Sequence, residues 1–376
     1  ALYIRGLVYS QQGRKDQALA DYHKALGINP RNDKALYYRG ILYYGQGKQD
    51  QALADFNQVL KIKSEDASYG KHGTKIQTDS YHYPTSSPQD ADVYYMRGVV
   101  YLKQGQIDRA IADFSKAVEL APKFAKAYGN RGVAYAMQGQ MDRALSDLNK
   151  ALEINPKYGK ALYIRGLVYI QQKKPDQALA DYNKALEINS RNDKALYYRG
   201  ILYYGQGKQD QALADFSQAL KVNPKYAEAY NNRGGIFTAK GQYDQAITDF
   251  NQALALDPRH ANAYYNRGVA YYNKSLYDKA IADFNKSLEL PRHANAHYNR
   301  GVAYYNKSLY DKAIGDFNKS LELDPKLADA YFNKALALEA AGRQDEARAA
   351  YEGFLKQAPP EAKEQIEQAR NKIGRR

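Results

Sequence analysis

Cysteine and tryptophan are both absent from this 376-residue chain. Without cysteine there is no disulfide, no thiolate zinc site and no cysteine nucleophile. A cysteine-free chain is stable in either redox environment, so the compartment stays open. Long apolar runs are missing too. No stretch approaches the roughly 18 consecutive apolar residues that a membrane-spanning helix needs, so no transmembrane span is expected. There is no signal-peptide pattern, and the start at Ala1 rather than at a methionine points to a processed or excerpted chain. Chemistry-bearing motifs are also lacking: no G-x-x-x-x-G-K-[ST], no dinucleotide fingerprint after a strand, no H-E-x-x-H and no G-x-S-x-G. The six histidines are His23, His72, His82, His260, His293 and His297. His72, Asp79 and His82 share one segment but have neither further ligands nor rigid spacing. No catalytic residue, cofactor or metal site is expected.

What the chain does contain is tyrosine, 37 residues of it, and a 44% apolar content sufficient for a core. The net charge is +14, from 55 basic and 41 acidic residues. The lysines and arginines recur evenly rather than in blocks, which reads as solvated faces and not as a nucleic-acid surface.

Internal repetition decides the fold class. The dipeptide Arg-Gly recurs nine times between Arg5-Gly6 and Arg300-Gly301, mostly at steps of 34 residues. In the unit 125–158, Tyr128, Gly132 and Tyr135 lie along one helical face, and Ala144, Leu148 and Ala151 along another. Gly139-Gln140 marks the turn between the two helices, and Pro156 ends the second.

This pattern resembles the tetratricopeptide repeat, whose aromatic, small, Tyr, Ala, aromatic, Ala and Pro positions fall on those residues. The resemblance implies an all-α fold: a right-handed α-solenoid superhelix of tandem helix–turn–helix units. Ten units are expected, two in 1–66 and eight in 91–361, with 67–90 as an inserted loop. Residues 362–376 are expected to form a capping helix through Ile366, Ala369 and Ile373. The insert is rich in Gly, Ser, Thr and Pro around Tyr81-His82-Tyr83-Pro84, and reads equally as an ordered contact element or as disorder. Unit eight is one residue short, at Leu290-Pro291, so a tighter inter-unit turn is expected there.

Departures from the family pattern are informative. Unit position 7 is Arg in nine units, and position 23 is Asp in the same nine. Both change in the tenth, to Lys334 and Ala350. An ion-pair ladder is expected, exemplified by Arg131 and Asp147, Arg165 and Asp181, Arg199 and Asp215, and Arg267 and Asp283, within a unit or between neighbours. Position 8 is Gly in those nine units, which implies close approach of the helices. Four N-x-S sequons, at Asn273, Asn285, Asn306 and Asn318, repeat with the unit inside helices and read as chance.

The resemblance places positions 2, 5, 6, 9, 12 and 13 on a concave face. Groove candidates are therefore Tyr38, Tyr44, Tyr198 and Tyr204, and the asparagines Asn130, Asn232, Asn266, Asn299 and Asn333. A similar asparagine series in O-linked N-acetylglucosamine transferase is associated with peptide-backbone binding. An amide both donates and accepts, which suits an extended backbone. Lys34, Lys160 and Lys194 nearby would favour an acidic segment. The leading functional expectation is a non-enzymatic scaffold for protein or peptide segments. End-to-end self-assembly into filaments, favoured by the near-identical units, is a second reading; the repeat arm of a larger enzyme is a third.

Overall fold

A computed structural model of the chain describes residues 1–69, 90–289 and 294–374. The expectations for most of the insert, including His72, Asp79 and His82, and for the short turn at Leu290-Pro291, lie outside those residues. The described residues form twenty-one α-helices and no strand. They divide into two compact halves, Ala1–Ser190 and Arg191–Arg376.

The first half holds five helical hairpins: α1 (Leu2–Gln11) with α2 (Lys15–Ile28), α3 (Asp33–Gly45) with α4 (Gln49–Tyr69), α5 (Asp90–Lys103) with α6 (Ile107–Leu120), α7 (Ala125–Met137) with α8 (Met141–Ile154), and α9 (Gly159–Gln171) with α10 (Pro175–Ile188). The second half repeats the plan: α11 (Asp193–Gly205) with α12 (Gln209–Val222), α13 (Ala227–Ala239) with α14 (Tyr243–Leu256), α15 (Ala261–Asn273) with α16 (Tyr277–Leu288), α17 (Ala294–Asn306) with α18 (Tyr310–Leu323), and α19 (Ala328–Ala340) with α20 (Gln344–Gln357). A final helix, α21 (Lys363–Gly374), follows. Helix α4 runs to Tyr69 and α5 starts at Asp90, so helix takes over both ends of the segment read as loop from 67 to 90. Unit two has Ser64 where unit 125–158 has the helix-ending Pro156, so the helix runs on through Ala67, Ser68 and Tyr69, with no proline or glycine before Gly70.

Each hairpin closes on residues chosen by steric fit. The turn residue sits in the left-handed region, as at Gly139 with φ 76° and Gly241 with φ 72°, a conformation that glycine adopts without a Cβ penalty. In the nine units with glycine at position 8, the first helix meets a side chain of the second helix almost at backbone distance. A Cβ built on Gly40 would lie 2.8 Å from the Phe56 ring, and one on Gly132 would lie 3.0 Å from Leu148 Cγ. The second helices supply the core: Phe56, Phe114, Leu148, Phe216, Phe250, Phe284 and Phe317 are fully or almost fully buried, each above a buried alanine four residues earlier. In the second half, α21 lays Ile366, Ala369 and Ile373 against the cluster built on Phe332, Tyr351 and Phe354.

Candidate functional face of the first helices

The charged residues at positions 7 and 23 pair inside nine of the ten hairpins. Arg131 donates from Nε to Asp147 Oδ2 at 2.6 Å and from Nη2 to Oδ1 at 2.8 Å. Arg165 grips Asp181 the same way at 2.7 and 2.6 Å, Arg199 grips Asp215 at 2.8 and 2.7 Å, and Arg267 grips Asp283 at 2.6 and 2.7 Å. This two-pronged geometry matches the planar guanidinium to the carboxylate. Hydrogen bonding to the carboxylate holds the Arg131, Arg165, Arg199 and Arg267 guanidiniums above their ordinary range despite burial. Tyrosines three residues before and four after flank the cation, as Tyr128 and Tyr135 do around Arg131 at 5.4 and 6.0 Å.

The third guanidinium nitrogen reaches the preceding unit. Arg131 Nη1 donates to Ser115 Oγ at 3.1 Å, Arg165 Nη1 to Asn149 Oδ1 at 2.7 Å, and Arg267 Nη1 to Asn251 Oδ1 at 2.6 Å. Position 25 is thus the third member of the network, and sequence reasoning missed it. Its signal was a plain Asn or Ser two residues after every Asp but the first, where His23 stands instead. Three sequon asparagines are similarly occupied: Asn285 accepts from Arg300, Asn273 donates to the Val269 carbonyl, and Asn306 donates to the Val302 carbonyl and to Tyr272 Oη.

The asparagines of position 6 form a second series. Asn232 Nδ2 donates to Tyr197 Oη at 3.1 Å, Asn299 to Tyr265 Oη at 2.8 Å, and Asn333 to Tyr298 Oη at 2.8 Å. Each bond joins a first helix to the first helix of the unit before. Asn266 instead donates to Asn231 Oδ1 at 3.0 Å, because unit seven carries Asn231 where its neighbours carry tyrosine. In the first half, Asn130 donates to Tyr95 Oη at 3.1 Å, accepts from Lys160 Nζ at 2.9 Å, and is buried. Burial pushes the Tyr197 and Tyr298 hydroxyls up to about 12, with Glu228 and Asp329 adding to the rise, so both stay neutral at physiological pH. The partner tyrosine of position 5 was also missed, since nothing in a linear pattern says that its hydroxyl crosses to the next unit.

These bonds use one N–H of each amide. Among the described residues, no donor reaches Oδ1 of Asn266, Asn299 or Asn333. Each of these amides therefore keeps an acceptor and a second donor. Tyr204, Asn232 and Asn266 converge on one cleft of about 390 Å³, lined also by Ile201, Phe216, Asn231, Gly235, Thr238 and Val269. Asn299 and Asn333 lie further along the same half, on α17 and α19.

The remaining candidates sit elsewhere and are occupied by packing. Tyr38 stacks on Tyr22 with ring centroids 6.4 Å apart and meets Tyr37 edge-on. Tyr198 meets Tyr197 edge-on at 5.1 Å, and Tyr44 lies under the Lys103 ammonium at 5.1 Å. The basic residues of position 2 are engaged as well: Lys194 caps the Tyr226 ring at 4.0 Å and Lys34 lies over Tyr3 at 5.6 Å. Among the described residues, no group of His, Asp and Glu side chains is arranged to hold a metal ion, and no helix is long and apolar enough to cross a membrane.

Self-similar helical hairpins, repeated through both halves, define an all-α repeat scaffold of the kind that serves protein interactions. A tetratricopeptide repeat model matches residues 1–32, 33–66, 159–192, 193–226, 261–290 and 294–327. Related repeat models match 95–159, 216–248 with 317–349, and 234–275. The chain belongs to the tetratricopeptide repeat family. No curated protein sequence matches it significantly. Among solved structures, it is similar to pilF of Pseudomonas aeruginosa at 22% identity, over 54% of this chain and 92% of that one, with a TM-score of 0.50. The Cut9–Hcn1 hetero-tetramer of the APC/C is similar at 16% identity, over 98% and 95% of the two chains, also with a TM-score of 0.50. A tetratricopeptide repeat protein from Parabacteroides merdae is 25% identical over 66% of this chain and 98% of that one, with a TM-score of 0.47. The first two likenesses speak to the fold alone.

Proposed function

We propose that the chain is a non-catalytic scaffold that holds extended segments of partner proteins along the first-helix face of its second half. The observation that carries this reading is the series Asn266, Asn299 and Asn333. Each amide is fixed by a hydrogen bond to the preceding unit, yet keeps its oxygen and one N–H for another partner. Pre-ordered amides lose little freedom on binding, and they pair with backbone whatever the sequence.

The test uses the full chain and a displayed library of random twelve-residue peptides. Peptides enriched on the wild type should bind the Asn266→Ala, Asn299→Ala, Asn333→Ala triple variant about tenfold or more weakly, from the loss of several backbone hydrogen bonds. The companion variant Tyr265→Phe with Tyr298→Phe removes the hydrogen bonds that fix Asn299 and Asn333 but keeps their amide groups, and should lose clearly less affinity than the asparagine variant. Equal binding by the wild type and the asparagine variant would remove the amides from the function.

A further inference from the structure

Unit seven differs from the others at two positions that face the same space. Position 9 is aliphatic in the other nine units: Leu7, Ile41, Val99, Val133, Leu167, Ile201, Val269, Val302 and Leu336. In unit seven it is Gly235. Position 5 is aromatic in eight units, and in unit seven it is Asn231. The two are one helical turn apart on α13, so both lost side chains vacate one place. The cleft of about 390 Å³ lies there, with Gly235 and Asn231 in its wall.

The structure does not heal this vacancy from within. Unit four offers the contrast. Its position 5 is also small, but the Tyr158 ring moves in, and a Cβ built on Gly129 would lie 2.8 Å from Tyr158 Cε1. Around Gly235, by comparison, nothing beyond its chain neighbours and the adjoining backbone of α13 lies within 4 Å of such a Cβ. A helical glycine costs roughly 0.8–1 kcal/mol relative to alanine. Here no close helix approach requires it, unlike Gly234 beside it, whose Cβ would lie 2.7 Å from the Phe250 ring.

We infer that this notch is an anchor pocket for one uncharged aliphatic side chain of a bound peptide. The inference rests on the peptide-scaffold reading above and gives it a side-chain preference. Ile201, Val269 and the buried Phe216 contribute apolar lining, Ile201 being 38% exposed. The chain as a whole is strongly basic, yet no lysine, arginine or carboxylate lines the cleft. A charged side chain entering it would lose its hydration without gaining a counter-ion. The volume lies at the small end of the roughly 300–1,000 Å³ typical of ligand pockets, enough for a branched side chain and the backbone beside it. At the polar edge the amides are linked in order: Asn266 donates to Asn231 Oδ1 at 3.0 Å, and Asn231 donates to Asn232 Oδ1 at 3.3 Å. The aliphatic notch thus adjoins the amides assigned to the peptide backbone.

The experiment pans the same random twelve-residue library on the full-length wild type and on Gly235→Val, which restores the residue type of the neighbouring units. Asn231→Tyr, which narrows the notch from its other side, serves as the second variant. Wild-type binders should share Val, Ile or Leu at one fixed position. They should bind Gly235→Val about tenfold or more weakly, with its melting temperature unchanged or raised. Panning on that variant should still yield binders, now without the aliphatic preference. Wild-type binders with no common aliphatic position, or with unchanged affinity for both variants, would overturn the anchor pocket and leave the scaffold reading standing. A library that yields no binder on the wild type would overturn both.

Discussion

At the scale of single residues, the protein is built on a three-part polar unit. An Asp on the second helix fixes an Arg on the first, and that Arg reaches back to an Asn or Ser one unit earlier. Asp147 keeps only 8% of its side chain exposed and Arg131 17%, so the pair is mostly out of water. Asp147→Ala would leave that guanidinium without its carboxylate. Losing one partner of a fully buried pair costs about 3–5 kcal/mol. With Arg131 still partly solvated, thermal or urea unfolding of the variant should show a loss of about 2–3 kcal/mol. An unchanged midpoint would mean that water replaces the pair at no cost. Half of this network can be read directly in the sequence, because Arg and Asp recur sixteen residues apart and depart together at Lys334 and Ala350. The other half cannot. Asn149 or Ser115 looks like an ordinary polar surface residue until the preceding hairpin is stacked against the arginine. Position 6 carries the same lesson. Its asparagines read as groove residues, and they are also inter-unit struts through tyrosine hydroxyls that no periodicity reveals.

At the scale of elements, each hairpin turns on one residue in left-handed conformation. Seven units use glycine there, whereas Lys173, Ser275 and Ser308 hold φ of 59°, 58° and 58°. A side chain in that region costs on the order of 1 kcal/mol per residue. Ser275→Gly combined with Ser308→Gly should therefore raise stability by about 1–2 kcal/mol, less a few tenths for the added freedom of the unfolded chain. Calorimetry would check this, and a drop in melting temperature would show that the serines make compensating contacts. Helix boundaries were less legible than helix existence. Nothing in the repeat says that α4 continues to Tyr69, because its last residues extend the helix past the unit without any conflict with local propensity. The segment from Ile366 to Ile373 was readable as an amphipathic helix from its apolar spacing alone, and α21 buries Ala369 completely.

At the scale of the whole molecule, repetition makes the fold legible and conceals the function. Thirty-four-residue periodicity, small residues at the helix crossing and an aromatic beneath them suffice to specify stacked hairpins. The same regularity makes nine units nearly interchangeable to the eye, so a site shows itself only where the pattern lapses. Unit seven is such a lapse, and the meaning of Gly235 depends on the empty space around it, which a string of letters does not contain. Near-copies such as 262–290 and 295–323 distribute similar amides along one face, suited to a ligand that is itself extended and repetitive: a peptide backbone.

The measurement that bears most directly on this account is an NMR titration of the full chain with an enriched twelve-residue peptide, following the side-chain amide signals of Asn232, Asn266, Asn299 and Asn333. The account predicts that the signals of Asn266, Asn299 and Asn333 shift and saturate together, at the concentration where the backbone signal of Gly235 also saturates. Saturable binding that leaves those amides unmoved and shifts signals on the second helices instead would contradict it.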